Sequence, residues 1–314
     1  MTWTKTPIFL FMLMLVLACR PREKPIELPF HVDYGAYGLD FSSDFYATGI
    51  GSTGATDIFE ASGGVAVSGM PQGLWTINDS GDSSNIYLIN ALTGKTLLRM
   101  ALSGLSAVDW EDMAHHTDST GQRWLVVADM GDNNAMRSSV QLYAFHEPTW
   151  SGLDTTGGWT NHVPLGLKIW DFVYPGGARD AEALFVDPLT GQPCIITKRE
   201  ARNELHMLPA SPSGGVDSTT FIGSFPFSSS TAADCAAIAG HGMPIIVKSY
   251  QHIWLWERSD DMSVVEAMIK TPVRLPYTQE SQGEALWWTL DGGYATLSES
   301  PMGMPAQVWV YDRK

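Results

Sequence analysis

Five acidic residues, each opening a short apolar run, recur along the chain: Glu60, Glu111, Glu182, Asp234 and Glu284. Carboxylates gathered in one place hold hard cations through oxygen. Crowded carboxylates also repel one another, so that one of them keeps its proton near neutral pH and serves as a general acid or base. By subtraction the spacings are 51, 71, 52 and 50 residues. A second polar group follows each acid after a strand and a turn: Asn78-Asp79-Ser80, Asp129 with Asp132, Asn133 and Asn134, Lys198-Arg199-Glu200, Lys248-Ser249-Tyr250 and Ser298-Glu299-Ser300.

A period near 50 residues is that of one four-stranded sheet in a β-propeller. The unit from Glu182 is the clearest. Glu182-A-L-F-V reads as a strand, Asp187-P-L-T-G as a turn, Pro193-C-I-I-T as a returning strand, Asn203-E-L-H-M-L as a third and Thr219-T-F-I-G-S-F as the outer fourth. The unit from Asp234 reads in the same way, with Cys235-A-A-I-A first and Val264-V-E-A-M-I last. The fold expected is therefore all-β, a propeller of five repeats. The longer passage from Pro148 to Gly177 leaves room for a sixth. The last unit ends without a fourth strand, and a strand from the N-terminal segment, Leu28 to Tyr46, is placed to complete it, which removes two open sheet edges.

In that arrangement the first strand of each blade runs down the central channel and the second returns, so both polar sets meet at one mouth. One side of the mouth carries Glu60, Asn78, Asp79, Glu111, Asp129, Glu284 and Glu299 with no cation beside them, the oxygen donor set that calcium takes. The other places Lys198, Arg199 and Lys248 opposite Glu182 and Asp234. Such a face neutralises itself by ion pairing, or presents cation and metal together to an anion. Asn133, Asn134 and Trp110 join Lys198, Arg199 and Lys248 as candidate ligand contacts, and Glu111 and Glu182 are the candidate catalytic carboxyls. The alternative reading of the mouth is plain: loops and water meet there, and polarity follows.

The chain of 314 residues has a formal net charge of −15, which disfavours binding to nucleic acid or to an anionic membrane face. Residues 1–18 read as a signal segment, with Lys5 followed by the apolar run Ile8–Leu17, too short to span a bilayer. Val16-Leu17-Ala18-Cys19 looks like a bacterial lipobox, which makes Cys19 the lipidated residue, 19–27 a tether and 28–314 a single propeller domain; an ordinary signal peptide cut nearby is the alternative. The location expected is the bacterial cell envelope, held at the membrane through the lipid alone, with the protein a monomer. Cys194 and Cys235 fit no zinc spacing, and the blade reading puts them at opposite ends of the channel, unbonded.

The repeats resemble a family of uncharacterised bacterial propeller proteins, often secreted or lipid-anchored. The segments carrying the resemblance are Glu60-A-S-G, Trp75-T-I-N-D-S-Gly81, Asp109-W-E-D-M-Ala114, Ala128-D-M-G-D-N-Asn134, Asp180-A-E-A-Leu184, Thr197-Lys198, Thr231-A-A-Asp234, Gly283-Glu284 and Ser298-Glu299, in family order over residues 57–300. More distantly, an acid at the start of an inner strand with Asn-Asp ending the next is similar to the calcium propellers of the gluconolactonase and esterase-like phytase groups. That likeness implies a central calcium and a lactone, ester or phosphate substrate.

Other motifs fall away. Gly49-I-G-S-T-Gly54 has the letters of a dinucleotide loop without the strand and helix it needs, and no G-x-S-x-G elbow occurs. Two functions remain open. One is a calcium-bearing propeller that binds a polar or anionic small molecule or a surface protein. The other is a metal-dependent hydrolase of phosphoesters or lactones.

Overall fold

The computed structural model describes Met1 and residues 26–79 and 81–314; the targeting segment and Cys19 lie outside these residues. The chain forms five sheets. Blade 1 comprises Ala61–Ala66, Gly73–Asn78, Asn85–Asn90 and Thr96–Leu102. Blade 2 comprises Trp110–Thr117, Arg123–Asp129, Val140–His146 and Lys168–Val173. Blade 3 comprises Ala181–Val186, Pro193–Thr197, Glu204–Met207 and Thr220–Ser224. Blade 4 comprises Ser230–Cys235, Ile245–Ser249, Ile253–Trp256 and Val273–Leu275. Blade 5 comprises Gly283–Trp288, Tyr294–Ser298 and Trp309–Tyr311, completed by Ile50–Gly51.

The first strand of each blade packs against the first strands of the blades on either side, which closes the ring. Small residues make this possible: Ala61-Ser62-Gly63-Gly64, Ser230-Thr231-Ala232-Ala233 and the alanines 181, 183 and 285 are all buried around the axis. Further out, larger side chains fill the wedges. Five apolar clusters lie one between each pair of neighbouring blades, with Trp75, Trp110 and Phe145 between blades 1 and 2, and Trp254, Trp256, Phe225 and Phe227 between blades 3 and 4. Burial of each such ring contributes about 2–3 kcal/mol.

The long passage does not build a sixth blade. Its Trp159–His162 segment adds in parallel to the outer strand of blade 1, and Lys168–Val173 becomes the outer strand of blade 2. Blade 3 repeats the manoeuvre, laying Val216–Ser218 along the outer edge of blade 2. The N-terminal segment covers the remaining edges: Phe30–His31 pairs with blade 3, Phe41 bridges Arg274 of blade 4, and Ile50–Gly51 closes blade 5. An N-terminal strand thus completes the last sheet as the sequence requires, though it lies beyond the Leu28–Tyr46 interval.

Two strand assignments in blade 4 are corrected. Val264–Met268 is helical, opened by Ser263, whose hydroxyl accepts the Glu266 N–H while the Glu266 carboxylate accepts the Ser263 N–H. This reciprocal cap competes successfully with the strand propensity of the two valines. The fourth strand is Val273–Leu275 instead. The inner strand begins at Ser230 and ends at Cys235, so the run after Asp234 is not the start of a strand.

Candidate functional site

All five inner strands carry a break in register near their upper end, between Ser62 and Gly64, Trp110 and Asp112, Ala181 and Ala183, Ser230 and Ala232, and Gly283 and Ala285. A β-bulge of this kind leaves one residue out of the ladder and re-aims its side chain. The bulged residues are Gly63, Glu111, Glu182, Thr231 and Glu284. Three of them are the acids expected at the mouth. Gly63 has φ +63°, and a side chain there would run into the backbone of Asp112 and Met113. Thr231 donates from Oγ1 to the Gly283 carbonyl at 3.2 Å.

Around these carboxylates stand two acids that the sequence reading passed over. Asp79, Asp109 and Glu111 each offer an oxygen within 4.8 Å of the others, and Glu111, Asp180 and Glu182 do the same, with Glu111 common to both groups. Asp109 and Asp180 precede the bulge glutamates by two residues. The repeated D-x-E of Asp109-Trp110-Glu111 and Asp180-Ala181-Glu182 is the signal that would have found them. Gly131 faces this cluster, and a Cβ there would stand against Glu111 Oε1 and 2.5 Å from Asp109 Oδ2. The missing side chain leaves a cradle walled by carboxylate oxygen.

Charge is divided unequally across the mouth. Glu182 is paired with Lys198, whose ammonium lies 5.1 Å from the Tyr250 ring centre. Tyr250 donates from its hydroxyl to Glu284 Oε1 at 2.8 Å. Burial by itself would lower the Lys198 pKa, but Glu182 and Glu284 carry it upward. Asp180 accepts the Asp132 N–H at 3.0 Å and pairs with Arg199 Nε at 2.6 Å, while Arg199 Nη2 bonds Asn133 Oδ1. On the opposite side Lys198 still acts on Glu111, but more weakly than the acids around it. Burial, then Glu182, Asp79 and Asp109, push the Glu111 carboxyl well above its ordinary value. Burial and Asp79 raise Asp109 to about 6, with Arg137 opposing. Glu299 is raised to about 8 by burial and by Glu284, Asp79 and Glu60. Glu182 and Glu284 are raised too, chiefly by burial, against the pull of Lys198.

A fully buried carboxylate floors the cluster. Asp112 Oδ2 accepts backbone N–H groups from Leu184 at 2.7 Å and Ala233 at 3.1 Å, and Oδ1 accepts that of Met113 at 2.8 Å, so its side chain lies among the inner strands of blades 2, 3 and 4.

Several expected members of the site sit elsewhere. Asp234 is three residues below the blade 4 bulge; its oxygens accept the N–H groups of Cys235 and Trp288 at 2.8 Å each, and His115 Nδ1 is 3.9 Å away. It ties inner strands together lower in the channel and is not brought to Glu182. Asp129 accepts from the N–H groups of Val108 and Asp109, both at 3.1 Å, and pairs with Arg137 at 2.8 Å; it shapes the loop that presents Asp109. Asn78 Oδ1 accepts the Glu60 N–H and Nδ2 donates to Asp82, so it fixes a turn. Glu60 is exposed at the rim. Trp110 is a core residue whose indole N–H donates to the Ser106 carbonyl and whose ring faces Tyr143. Lys248 is fully buried, bonded to the Gly283 carbonyl and 4.9 Å from the Tyr277 ring centre, and burial lowers its pKa, so it is not available as a ligand contact. Asn134 is exposed. Cys194 and Cys235 are both free and buried, and both lie in the cluster between blades 3 and 4 and feel the charge of Arg258. Cys235 closes its strand at the lower end of the channel, where Cys194 lies near the start of its own, and the two are not at opposite ends.

No family model and no curated protein matches the chain. Among solved structures, the chain is similar to the major allergen Mala s 1 of Malassezia sympodialis, with 11% identity and a TM-score of 0.49 over 85% of this chain and 96% of that one. It is also similar to the β-propeller domain of Cps50 (Swd1) from Myceliophteria thermophila, with 8% identity and a TM-score of 0.42 over 83% of this chain and 98% of that one. The five closed sheets make the chain a five-bladed β-propeller with buried acidic clusters at one mouth of its channel.

Proposed function

We propose that this protein holds a divalent cation at the channel mouth and presents it to a polar or anionic ligand, a small molecule or the surface of another protein, at the bacterial cell envelope, anchored through Cys19. Asp79, Asp109 and Glu111 would supply the first oxygens, with Asp180 and Glu182 behind them, and an all-oxygen set without nitrogen or sulfur selects calcium or magnesium over zinc. One observation carries the reading. Glu111 is only 4% exposed and belongs to both acid clusters, with Asp79 and Asp109 in one and Asp180 and Glu182 in the other, each within 4.8 Å. Carboxylates held so close together repel unless a proton or a cation lies between them.

The test is a thermal melt of the full chain in EGTA and in calcium, for the wild type and for Glu111→Gln. At a calcium concentration about 100-fold above Kd, linkage stabilises the fold by about 2.7 kcal/mol. The wild-type Tm rises and that of Glu111→Gln does not. A wild-type Tm indifferent to calcium and magnesium overturns the reading.

A hydrolase is the second reading. Asp109 exchanges its proton near pH 6 and Glu111 keeps its own above the usual range, beside the place where a cation would polarise a phosphate or lactone oxygen. Arg199, half exposed, is the cation nearest to solvent for an anionic substrate. Calcium-dependent release of p-nitrophenol from its phosphate ester, or opening of a model lactone, lost in Glu111→Gln, would establish catalysis; no turnover in either assay leaves a binder.

A further inference from the structure

Beside the mouth, between the upper ends of blades 3 and 4, a hollow of about 420 Å³ is lined by Tyr37, Ser228, Ser229, Ser249, Tyr250, Gln251 and His252. We infer that this hollow is a subsite for an uncharged, hydroxyl-rich ligand, a sugar, whose inner end meets Tyr250 at the carboxylate mouth. It adds a ligand class to the function proposed above but stands without any cation.

The lining contains no acid and no lysine or arginine; Arg274 acts on His252 from just outside it, with its guanidinium engaged by the carbonyls of Leu39 and Tyr37 at 2.8 and 2.9 Å and by the Phe41 ring. A phosphate or carboxylate placed there would lose its hydration and meet no cation in the lining, and the one guanidinium nearby already commits its donors to backbone carbonyls. What the lining does offer is neutral and two-sided. The hydroxyls of Tyr37, Ser228 and Ser229, the amide of Gln251 and the ring nitrogens of His252 each donate and accept. Burial keeps the His252 ring neutral at neutral pH, so that it too carries one donor and one acceptor. Sugar hydroxyls have the same dual character.

Shape adds to chemistry. Tyr37 is 51% exposed and stands over the hollow with its ring 5.2 Å from His252 and 6.1 Å from Trp254, which gives an aromatic face for the apolar side of a sugar ring. The floor is rigid. Ser229 has φ +63°, a conformation costing roughly 1–3 kcal/mol for a residue other than glycine, and it is held by its N–H bond to the Lys198 carbonyl at 2.9 Å. Next to it Ser230 donates twice to Asn203 Oδ1, at 3.0 and 2.7 Å. The opposite wall is a tight turn in which Ser249 Oγ accepts the N–H of His252 at 3.2 Å. The strained serine thus presents its hydroxyl at a fixed point, and its carbonyl-bound neighbour Lys198 belongs to the acidic mouth. Tyr250 spans both places, lining the hollow while its hydroxyl holds Glu284.

Calorimetric titration with maltose, cellobiose and glucose, against glucose 6-phosphate and glucuronate, tests the assignment. All are run in EGTA, so that failure of the cation site cannot affect the result. At least one neutral sugar binds with millimolar affinity and more tightly than its charged counterpart. Tyr37→Ala and Gln251→Ala, both at exposed positions, each weaken it tenfold or more while Leu290→Ala, in an exposed turn of blade 5, leaves it unchanged. Absence of binding by every neutral sugar at 100 mM overturns the inference, and so does binding indifferent to both hollow variants or preferring the charged ligands.

Discussion

The Asp112 carboxylate accepts the backbone N–H of Ala233 at 3.1 Å, although blade 3 lies between the two blades they belong to. One side chain therefore fastens three inner strands, since Leu184 of blade 3 donates to the same oxygen. Asp112→Asn would turn an amide NH₂ toward one of the three N–H groups, and a buried donor facing a donor costs about 3 kcal/mol. The variant is expected to unfold at lower denaturant with an unchanged m-value, measured by urea titration in EGTA. An unaltered midpoint would remove Asp112 as the fastening of the ring.

Gly131 tests the cradle without touching a carboxylate. Gly131→Ala places a methyl group against Glu111 Oε1 and Asp109 Oδ2. The fold should lose about 1–3 kcal/mol through overpacking. Calcium affinity, read from the concentration dependence of Tm, should fall at least tenfold. Retained affinity would place the cation outside this cradle.

The pH dependence follows from the raised carboxyls. Glu299 is raised to about 8, and burial raises Glu280 and Asp234 to about 7. Each binds its proton more tightly folded than unfolded, so between pH 6.5 and 8 the native state holds more protons, and stability falls as pH rises. Below pH 6.5 the buried neutral histidines, His115 and His206 among them, act in the opposite sense, because their unfolded forms take up protons. In EGTA the Tm should therefore drop from pH 6.5 to 8, and saturating calcium should flatten the drop by replacing protons at the mouth. A Tm that climbs over that interval in EGTA contradicts the charge distribution described.

The repeat was legible because four of the five inner strands open with a small residue after a polar one, Trp110 being the exception, and the turns that follow carry glycine. The central glutamates 111, 182 and 284 were legible for the same reason, being the residues that the bulge expels. Asp234 was misplaced because the bulge of blade 4 carries Thr231, and an acid three residues further on imitates the pattern. Asn78 and Asp129 have the right type and the right strand ends, but nearby backbone N–H groups claim their oxygens, a competition invisible in spacing. The helix at Val264 could have been read, since Ser263-Val-Val-Glu266 is a capping box in plain letters. What no local pattern contains is the path of residues 28–51 around three blades, which depends on edges created elsewhere in the chain.

That path has a consequence for synthesis. Ile50–Gly51 is made before every other blade strand, yet its partner Trp309–Tyr311 only after them, and Ser52 waits for Gln307 and Val308 in the same way. Until then four blades stand as an open arc, with the seam between blades 5 and 1 unsealed. The meeting of these two distant strands, and not the folding of any single sheet, is the event that locks the molecule.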